Sequence, residues 1–324
     1  MPESVRITDV SPRDGLQNEA GVIPTADKVR LVELLSETGV DEVEVTSFVS
    51  AKWVPQLGDA RDVLKGCLNS REIQVAMASE GGRPSWKSRS PMLSALVPNL
   101  KGFEDLQRFA EEEGQWTVEK VSVFTAASEE FNRRNINASI AESIERFRPV
   151  LERAHSHRLI VRGYISCVIA CPFTGAVKPS KVIEVAHQLL EVGVDEIDLG
   201  DTIGAGTADS IRDLLAEYLR EVPVRSSQLP VTLHLHDTFG RAADCVRTAL
   251  DLGVRSFDGS VAGLGGCPYA STPGKRAPGN IATETLVRTV HETGYVTGVD
   301  MDALARAGAF AREIVERSRA ESSS

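Results

Sequence analysis

Two histidines separated by one residue, His234 and His236, are the side chains of this sequence whose type and spacing most suggest chemistry. They end a short β-branched and apolar stretch, residues 231–236, which is typical of a buried strand. Side chains alternate between the faces of a strand, so both imidazoles point the same way at its C-terminal end. The pair is half of a metal site; the alternative is two ordinary hydrogen-bonding histidines.

Further polar residues lie where other predicted strands end, and they favour the metal. They are Arg13, Asp14, Gln17, Glu44, Ser47, Asp201, Thr202, Cys267 and Asn280. In a barrel of parallel strands these ends meet on one face, so the side chains are expected to converge. One carboxylate, two imidazoles and an amide oxygen, completed by water, suit octahedral Mg²⁺, Mn²⁺ or Co²⁺. Zinc is less favoured because no cysteine has the spacing of a tetrahedral zinc site.

A repeating order of strand and helix predicts how these residues are positioned. The predicted strands are residues 5–10, 42–46, 92–97, 118–126, 159–168, 196–201, 231–236 and 256–261. The predicted helices are residues 25–39, 57–66, 102–113, 139–155, 178–193, 207–221, 241–253 and 280–294. Eight such units in about 290 residues favour an α/β fold of the (β/α)8 TIM-barrel type. An open doubly wound sheet would need a glycine-rich first turn, which residues 11–18 do not provide.

The predicted organisation is one catalytic barrel with a helical addition. We expect the barrel domain to span residues 1–298, and residues 299–324 to form an extra C-terminal helix, 301–319, and a tail that frays from Glu321. Residues 80–91, rich in glycine, serine, proline and arginine, precede the third strand and are expected to form an exposed excursion on the opposite rim.

Composition limits the classes of partner. The chain has 324 residues, 42% of them apolar, and a net charge of -10 with both signs interspersed. These values argue against a nucleic-acid or anionic-membrane partner. No stretch has the length of a signal peptide core or a membrane span, so we expect a cytoplasmic protein. The five cysteines are scattered, which argues against a disulfide framework, and Cys167 and Cys171 are expected to be buried rather than a redox pair.

A glycine-rich stretch, residues 262–270, surrounds Cys267. Glycine allows backbone conformations and close approaches that suit a lid over a substrate, and the cysteine would then act as proton donor or nucleophile. The alternative is a flexible surface turn with an incidental thiol.

Motifs along nearly the whole chain resemble the hydroxymethylglutaryl-CoA lyase family. They are residues 11–19, 44–50, 52–55, 98–104, 162–166, 199–204, 234–238 and 263–270. The isopropylmalate and homocitrate synthases share the Arg-Asp-Gly and His-x-His elements but not the Gly-Gly-Cys-Pro-Tyr segment. The combination of motifs is therefore specific to the lyases.

The resemblance implies a divalent metal, Mg²⁺ or Mn²⁺, held by Asp14, His234, His236 and Asn280. It implies a catalytic set of Arg13, Glu44, Asp201, His234 and Cys267. The candidate substrate-binding residues are Gln17, Ser47, Arg162, Tyr164, Asp198 and Thr202. The implied partner is an acyl-CoA substrate, the implied assembly is a homodimer, and the implied pathway is leucine degradation.

The roles that the resemblance implies form one reaction. The metal binds the C3 hydroxyl and a carboxylate oxygen of the substrate, and either His234 or Asp201 removes the hydroxyl proton. Arg13 stabilises the enolate that forms when the C2–C3 bond breaks. Cys267 then delivers a proton to the acetyl-CoA carbanion, so that the products are acetyl-CoA and acetoacetate.

Two departures from the family pattern leave the acyl group open. Asp198 stands where the family usually has serine, and residues 271–278 are longer than the usual connection. Asp198 either alters acyl specificity, pairing with Arg162, or forms with it a buried support beneath the metal. One alternative function is the same cleavage of another 3-hydroxy-3-substituted acyl-CoA. A second is a condensing acyltransferase, although such enzymes often carry a long regulatory tail. A third is a catalytically inactive barrel, which would be expected to have lost part of the reactive set.

Overall fold

Eight parallel strands pair in chain order, and the last pairs with the first to close a barrel. The structure, a computed structural model, describes residues 3–78, 91–222, 231–266 and 279–322. The strands are β1 Arg6–Asp9, β2 Glu42–Ser47, β3 Met92–Leu96, β4 Lys120–Ala126, β5 Ile160–Ser166, β6 Glu196–Asp201, β7 Thr232–Leu235 and β8 Ser256–Gly259. The predicted (β/α)8 barrel is confirmed, with every strand within a few residues of its predicted bounds.

The helices surround the barrel. They are α1 Thr25–Ser36, α2 Ala60–Asn69, α3 Arg71–Ala78, α4 Leu100–Glu113, α5 Glu129–Ile136, α6 Ile140–Ser156, α7 Pro179–Glu191, α8 Ala208–Glu221, α9 Ala242–Asp251, α10 Thr283–Glu292 and α11 Met301–Ser322. Side-chain caps fix several starts: the hydroxyls of Ser139 and Thr207 accept from the third backbone N–H of α6 and α8. The predicted eight-helix pattern missed α3 and α5, which are about two turns long. It also missed a short hairpin whose two strands are Ala170–Cys171 and Gly175–Ala176.

Strand β2 shows how residue type separates the two faces of the barrel wall. Val43 and Val45 are fully buried in the apolar core, whereas Glu42 and Glu44 alternate with them and form ion pairs with arginines of the barrel interior. The interior of a TIM barrel is normally filled by branched aliphatic side chains. Here a large part of it is charged.

The charged part of the interior lies below the C-terminal ends of the strands. Lys120 Nζ is 2.6 Å from both Glu42 Oε2 and Glu196 Oε2, and Arg162 Nη2 is 2.9 Å from the same Glu42 oxygen. Removing one partner of such a buried pair costs about 3–5 kcal/mol, because it leaves the other charge uncompensated. This cluster therefore fixes the relative positions of β2, β4, β5 and β6.

Helix α11 packs against α1, and Leu304, Ile314 and Val315 join the same apolar core as the barrel strands. The helix predicted at 301–319 extends to Ser322, whose hydroxyl donates to the Ser318 carbonyl at 2.7 Å, and fraying of the tail stays a prediction. Arg319 also binds Glu19 at 2.9 Å and so holds the last turn against the barrel. Most of the predicted excursion at 80–91 lies outside the described residues.

The cysteines of the described residues, Cys67, Cys167, Cys171 and Cys245, are buried, as expected for Cys167 and Cys171. Within the same residues, none of the helices combines the length and the apolar character needed to cross a bilayer.

Candidate functional site

The structure brings three predicted ligands together at the C-terminal ends of the strands. His234 and His236 leave β7 on the same side, and their Nε2 atoms are 3.3 Å apart. Asp14, in a short π-helical turn after β1, places its Oδ2 atom 4.0 Å from His234 Nε2. One donor atom from each residue lies within 4.8 Å of the others. A carboxylate oxygen and two imidazole nitrogens that face one another fit a divalent cation.

The ionisation of these residues also suits a cation. Burial, followed by the neighbouring His234, lowers the pKa of His236 to about 4, so its ring is neutral at physiological pH. Burial opposes the charge of Asp14, but Arg13 and the two histidines hold the pKa of this carboxyl well below its ordinary value. A neutral imidazole and an ionised carboxylate are the forms that bind metal.

Asn280 lies at the edge of this cluster. It forms an isolated backbone bridge with His236, and its Nδ2 donates to Asp14 Oδ2 at 2.8 Å and to the Leu264 carbonyl at 3.0 Å. The amide nitrogen therefore contacts the ligand set, and ligation by the amide oxygen stays a prediction.

The glycine-rich stretch before Cys267 packs directly onto the ligands. Gly265 has φ +103°, and a Cβ built there would lie 2.7 Å from Asn280 Nδ2 and 3.3 Å from Asp14 Oδ2. Only glycine accommodates both the left-handed backbone and this close approach. The expected backbone freedom and close approach are observed at Gly265, whereas the lid stays a prediction, since Cys267 and residues 271–278 lie outside the described residues.

Arg13 is placed beside the ligands by two carboxylates. Its Nη1 is 2.7 Å from Asp14 Oδ1, and its Nε lies 2.5 Å from Glu44 Oε2. Burial opposes the guanidinium charge, but Glu44 and Asp14 raise the pKa of Arg13 further above its ordinary value. A permanently charged, oriented guanidinium suits a site where negative charge develops.

Asp201 ends β6 and accepts two backbone hydrogen bonds, from Ala205 at 3.0 Å and from Gly206 at 2.7 Å. Burial raises the pKa of its carboxyl to about 6, although these hydrogen bonds oppose the shift. A carboxylate with a pKa near the working pH can accept and release a proton, as a general base requires.

The remaining residues predicted at strand ends hold the loops that follow. The Ser47 hydroxyl accepts from the Val49 amide at 3.2 Å, and the Thr202 hydroxyl accepts from the Cys167 amide at 2.8 Å. Gln17 is half-buried in the connection after β1. Contact of these three side chains with a substrate stays a prediction.

Arg162 and Asp198 lie in the barrel interior, with exposures of 1% and 0%. Arg162 Nη1 is 3.8 Å from Asp198 Oδ2. Such burial favours the interpretation that the pair supports the site from below, rather than contacting an acyl group. Tyr164 is also buried, and its hydroxyl lies 3.5 Å from Glu44 Oε2.

Asp258, on β8, is a residue of this region that sequence reasoning missed. It is 1% exposed, and its Oδ2 lies 3.3 Å from His234 Nδ1. Burial and the neighbouring Asp258 carboxylate raise the pKa of Asp198 well above its ordinary value, which disfavours its charged form. The available signal was strand alternation, because Phe257 faces the apolar core and its neighbour must face the interior.

Comparison with known proteins gives concordant results. The protein-family model described as HMGL-like matches residues 4–310. The chain is 44% identical over 317 residues to the rat (Rattus norvegicus) "Hydroxymethylglutaryl-CoA lyase, mitochondrial", covering 98% of this chain and 87% of the relative. It is 46% identical over 308 residues to the "3-hydroxy-3-isohexenylglutaryl-CoA/hydroxy-methylglutaryl-CoA lyase" of Pseudomonas aeruginosa, covering 95% and 92%. The crystal structure of the HMG-CoA lyase from Brucella melitensis superposes with a TM-score of 0.82 at 43% identity, covering 97% and 99%.

Proposed function

The chain belongs to the HMGL-like family, and from this premise we propose that it cleaves 3-hydroxy-3-methylglutaryl-CoA to acetyl-CoA and acetoacetate. The observation that carries the proposal is the convergence of Asp14, His234 and His236 beside the charged Arg13 at the C-terminal ends of the barrel strands. That face is where catalytic residues of TIM-barrel enzymes lie.

The residues that would hold the metal are Asp14, His234 and His236, with Asn280 as a fourth candidate. A divalent cation such as Mg²⁺ or Mn²⁺ supplies Lewis-acid polarisation of the C3 hydroxyl when it is bound. The fit rests on two imidazole nitrogens and a carboxylate oxygen that already face one another.

The protein side chains then account for the proton transfers and the charge. Asp201 takes the C3 hydroxyl proton, with His234 as the alternative base only where its Nε2 does not bind the metal. The O–H electron pair forms the C=O double bond of acetoacetate as the C2–C3 bond breaks. The bonding electrons pass to C2 as an enolate of the thioester, which the Arg13 guanidinium stabilises at the carbonyl oxygen. Cys267 protonates C2, and Glu44 keeps Arg13 oriented throughout.

A second candidate function is the same cleavage of a thioester with a larger group at C3. The Pseudomonas aeruginosa relative, at 46% identity, is named for both an isohexenyl and a methyl substrate. Because Asp198 is fully buried, it gives no reason to restrict the group at C3.

The decisive experiment is a coupled measurement of acetyl-CoA release from a panel of 3-hydroxy-3-substituted glutaryl-CoA thioesters, with Mg²⁺ or Mn²⁺ added. We expect the methyl compound to give the highest kcat/KM. A higher kcat/KM for the isohexenyl compound would support the second candidate. Release of no acetyl-CoA from any thioester would contradict both, and the reverse assay, from acetyl-CoA and a keto acid, would then test a condensing activity.

We further propose that the protein is a homodimer in the cytoplasm that binds an acyl-CoA and neither nucleic acid nor membrane. The net charge of -10 supports the last two exclusions, and the scattered, buried cysteines suit a reducing compartment. Sedimentation equilibrium measures the assembly state directly.

A further inference from the structure

The two histidines of the candidate metal centre differ in how their second ring nitrogen is held. His234 Nδ1 lies 3.3 Å from Asp258 Oδ2, whereas His236 Nδ1 is buried and has no hydrogen-bond partner among the described residues. A histidine that binds metal through one nitrogen usually donates the other N–H to a carboxylate or carbonyl oxygen. His234 meets this condition, and His236 does not.

We propose that Asp258 is a positioning residue, which holds the His234 ring in the Nδ1–H tautomer and thereby turns the Nε2 lone pair toward the metal. This inference concerns the site of the proposed function. The positioning of His234 does not depend on that function, and only an effect of Asp258 on turnover would rest on it. An ionised carboxylate accepts hydrogen bonds and donates none, so its contact with Nδ1 places the ring proton on that nitrogen.

The backbone makes the contact between the two side chains obligatory. Asp258 and His234 are directly opposite each other in the parallel pairing of β8 with β7. Opposed residues on neighbouring strands point to the same face, which here is the barrel interior. The two side chains therefore meet without any contribution from a loop.

Asp258 is itself held by donors from β5. Tyr164 Oη lies 3.3 Å from Asp258 Oδ2, and Arg162 Nη1 lies 3.5 Å from Asp258 Oδ1. The two carboxylate oxygens thus face different partners: one faces an arginine, and the other faces the histidine and the tyrosine. This arrangement gives Arg162 a function without substrate contact, since it fixes the plane of the carboxylate that orients His234.

The same arrangement makes Asp258→Asn a sharp test, because asparagine keeps the volume of the side chain. Arg162 is only a donor, so the amide oxygen of the variant must face Arg162 and the amide nitrogen must face His234. An N–H group at that place needs an unprotonated Nδ1, so the neutral ring takes the Nε2–H tautomer. In that tautomer Nε2 has no lone pair for a metal.

The first measurement is the tautomer of His234 in metal-free protein, read from long-range ¹H–¹⁵N correlations of ¹⁵N-histidine at a pH well above the ordinary histidine range. The chain has six histidines, and the His234 signals are identified by their loss in His234→Asn. We expect the Nδ1–H tautomer in the wild type and the Nε2–H tautomer in Asp258→Asn. An Nε2–H tautomer in the wild type overturns the proposal, even if the variant does not fold.

The second measurement is Mn²⁺ affinity, from electron paramagnetic resonance of the free ion, together with the visible spectrum of the Co²⁺ form. We expect Asp258→Asn to weaken Mn²⁺ binding roughly 10- to 100-fold and to change the Co²⁺ spectrum. The matched control is Glu196→Gln, the same chemical change in the barrel interior at a carboxylate that binds Lys120, and its Mn²⁺ affinity should stay that of the wild type.

The outcomes separate the inference from the proposed function. Wild-type Mn²⁺ affinity and an unchanged tautomer in folded Asp258→Asn would overturn the positioning role. Equal weakening in Glu196→Gln would also overturn it, since the effect would then be general to interior carboxylates. If the tautomer and the affinity shift as expected while no thioester is cleaved by the wild type, the positioning role stands and the proposed reaction is wrong.

Discussion

The guanidinium of Arg13 contacts the carboxylate of Glu44 through two nitrogens, since Nε and Nη2 both lie 2.5 Å from Oε2. Glu44 is fully buried, so it has no alternative partner in solvent. The contact fixes the plane of a group that must stabilise charge at one defined oxygen, and this kind of support is what a catalytic arginine requires.

Glu44→Leu tests this support. Leucine has a similar volume but no acceptor for the guanidinium, so we expect Arg13 to shift and kcat to fall by about 10²-fold, the usual effect of a small misplacement. Steady-state kinetics measures the change, and Glu111→Leu, on the exposed side of α4, is the control. A kcat equal to that of the wild type would show that Arg13 needs no orientation by Glu44.

Removal of divalent metal should abolish turnover. Asp14, His234 and His236 supply the ligand atoms, and neither Arg13 nor Cys267 replaces the polarisation of the C3 hydroxyl. Exhaustive chelation should abolish activity, and addition of Mg²⁺ or Mn²⁺ should then restore it. Added metal should also raise the melting temperature, because it binds only the folded chain. Full activity in a sample that elemental analysis shows to be free of metal would refute the requirement.

Cys267→Ala should lower kcat by roughly 10²- to 10⁴-fold, the usual contribution of a positioned acid or base, without changing Mn²⁺ affinity. A loss confined to KM would instead make Cys267 a binding residue. Cys67→Ala is the control, because Cys67 lies on the buried face of α2. Burial raises the pKa of its thiol to about 12, so the thiol stays protonated and unreactive.

The pH dependence of kcat/KM distinguishes the two candidate bases. Burial raises the pKa of Asp201 to about 6, so a base at Asp201 is active above this value and activity falls as the pH drops below it. His234 predicts a limb at higher pH, because burial is outweighed by Asp258 and Asp14, which raise the pKa of His234 above its ordinary value. If Asp201 is the base, Asp201→Asn should remove the limb near pH 6; a limb that survives this substitution assigns the proton transfer elsewhere.

Asp198→Asn should have little effect on stability, because burial and Asp258 raise the pKa of Asp198 well above its ordinary value, which favours an uncharged side chain, and asparagine is uncharged and of similar volume. Urea unfolding measures the difference. A loss of about 3–5 kcal/mol would instead show that Asp198 is ionised and paired with Arg162. We also expect Asp198→Ser to leave the preference among acyl groups unchanged, and a shifted preference would return Asp198 to the substrate-binding residues.

The barrel was predictable because its evidence is local and repeated. The units alternate a short, mostly buried strand with an amphipathic helix, and several helices end at a glycine such as Gly39 or Gly193. Both glycines have positive φ, which explains why the chain turns immediately into the next strand. The convergence of Asp14 with His234 and His236 followed from the geometry of strand ends alone.

The interior network was less predictable because it depends on which strands are opposed. Glu42 and Glu196 lie 78 and 76 residues from Lys120 in the sequence, and their pairing follows only when the strand register is known. Asp258 was missed for the same reason, since its contact with His234 follows from register. The buried charge also departs from the aliphatic filling that is usual in TIM barrels.

The close packing of Gly265 links two parts of the site that have been described separately. Its backbone lies against Asp14 and Asn280, and Cys267 follows two residues later. A cation that shifts Asp14 therefore also shifts the backbone of Gly265, so the metal centre and the chain that leads to Cys267 are mechanically connected. Any reversible ligand of Cys267 that changes cation affinity would have its own affinity changed by the cation by the same factor.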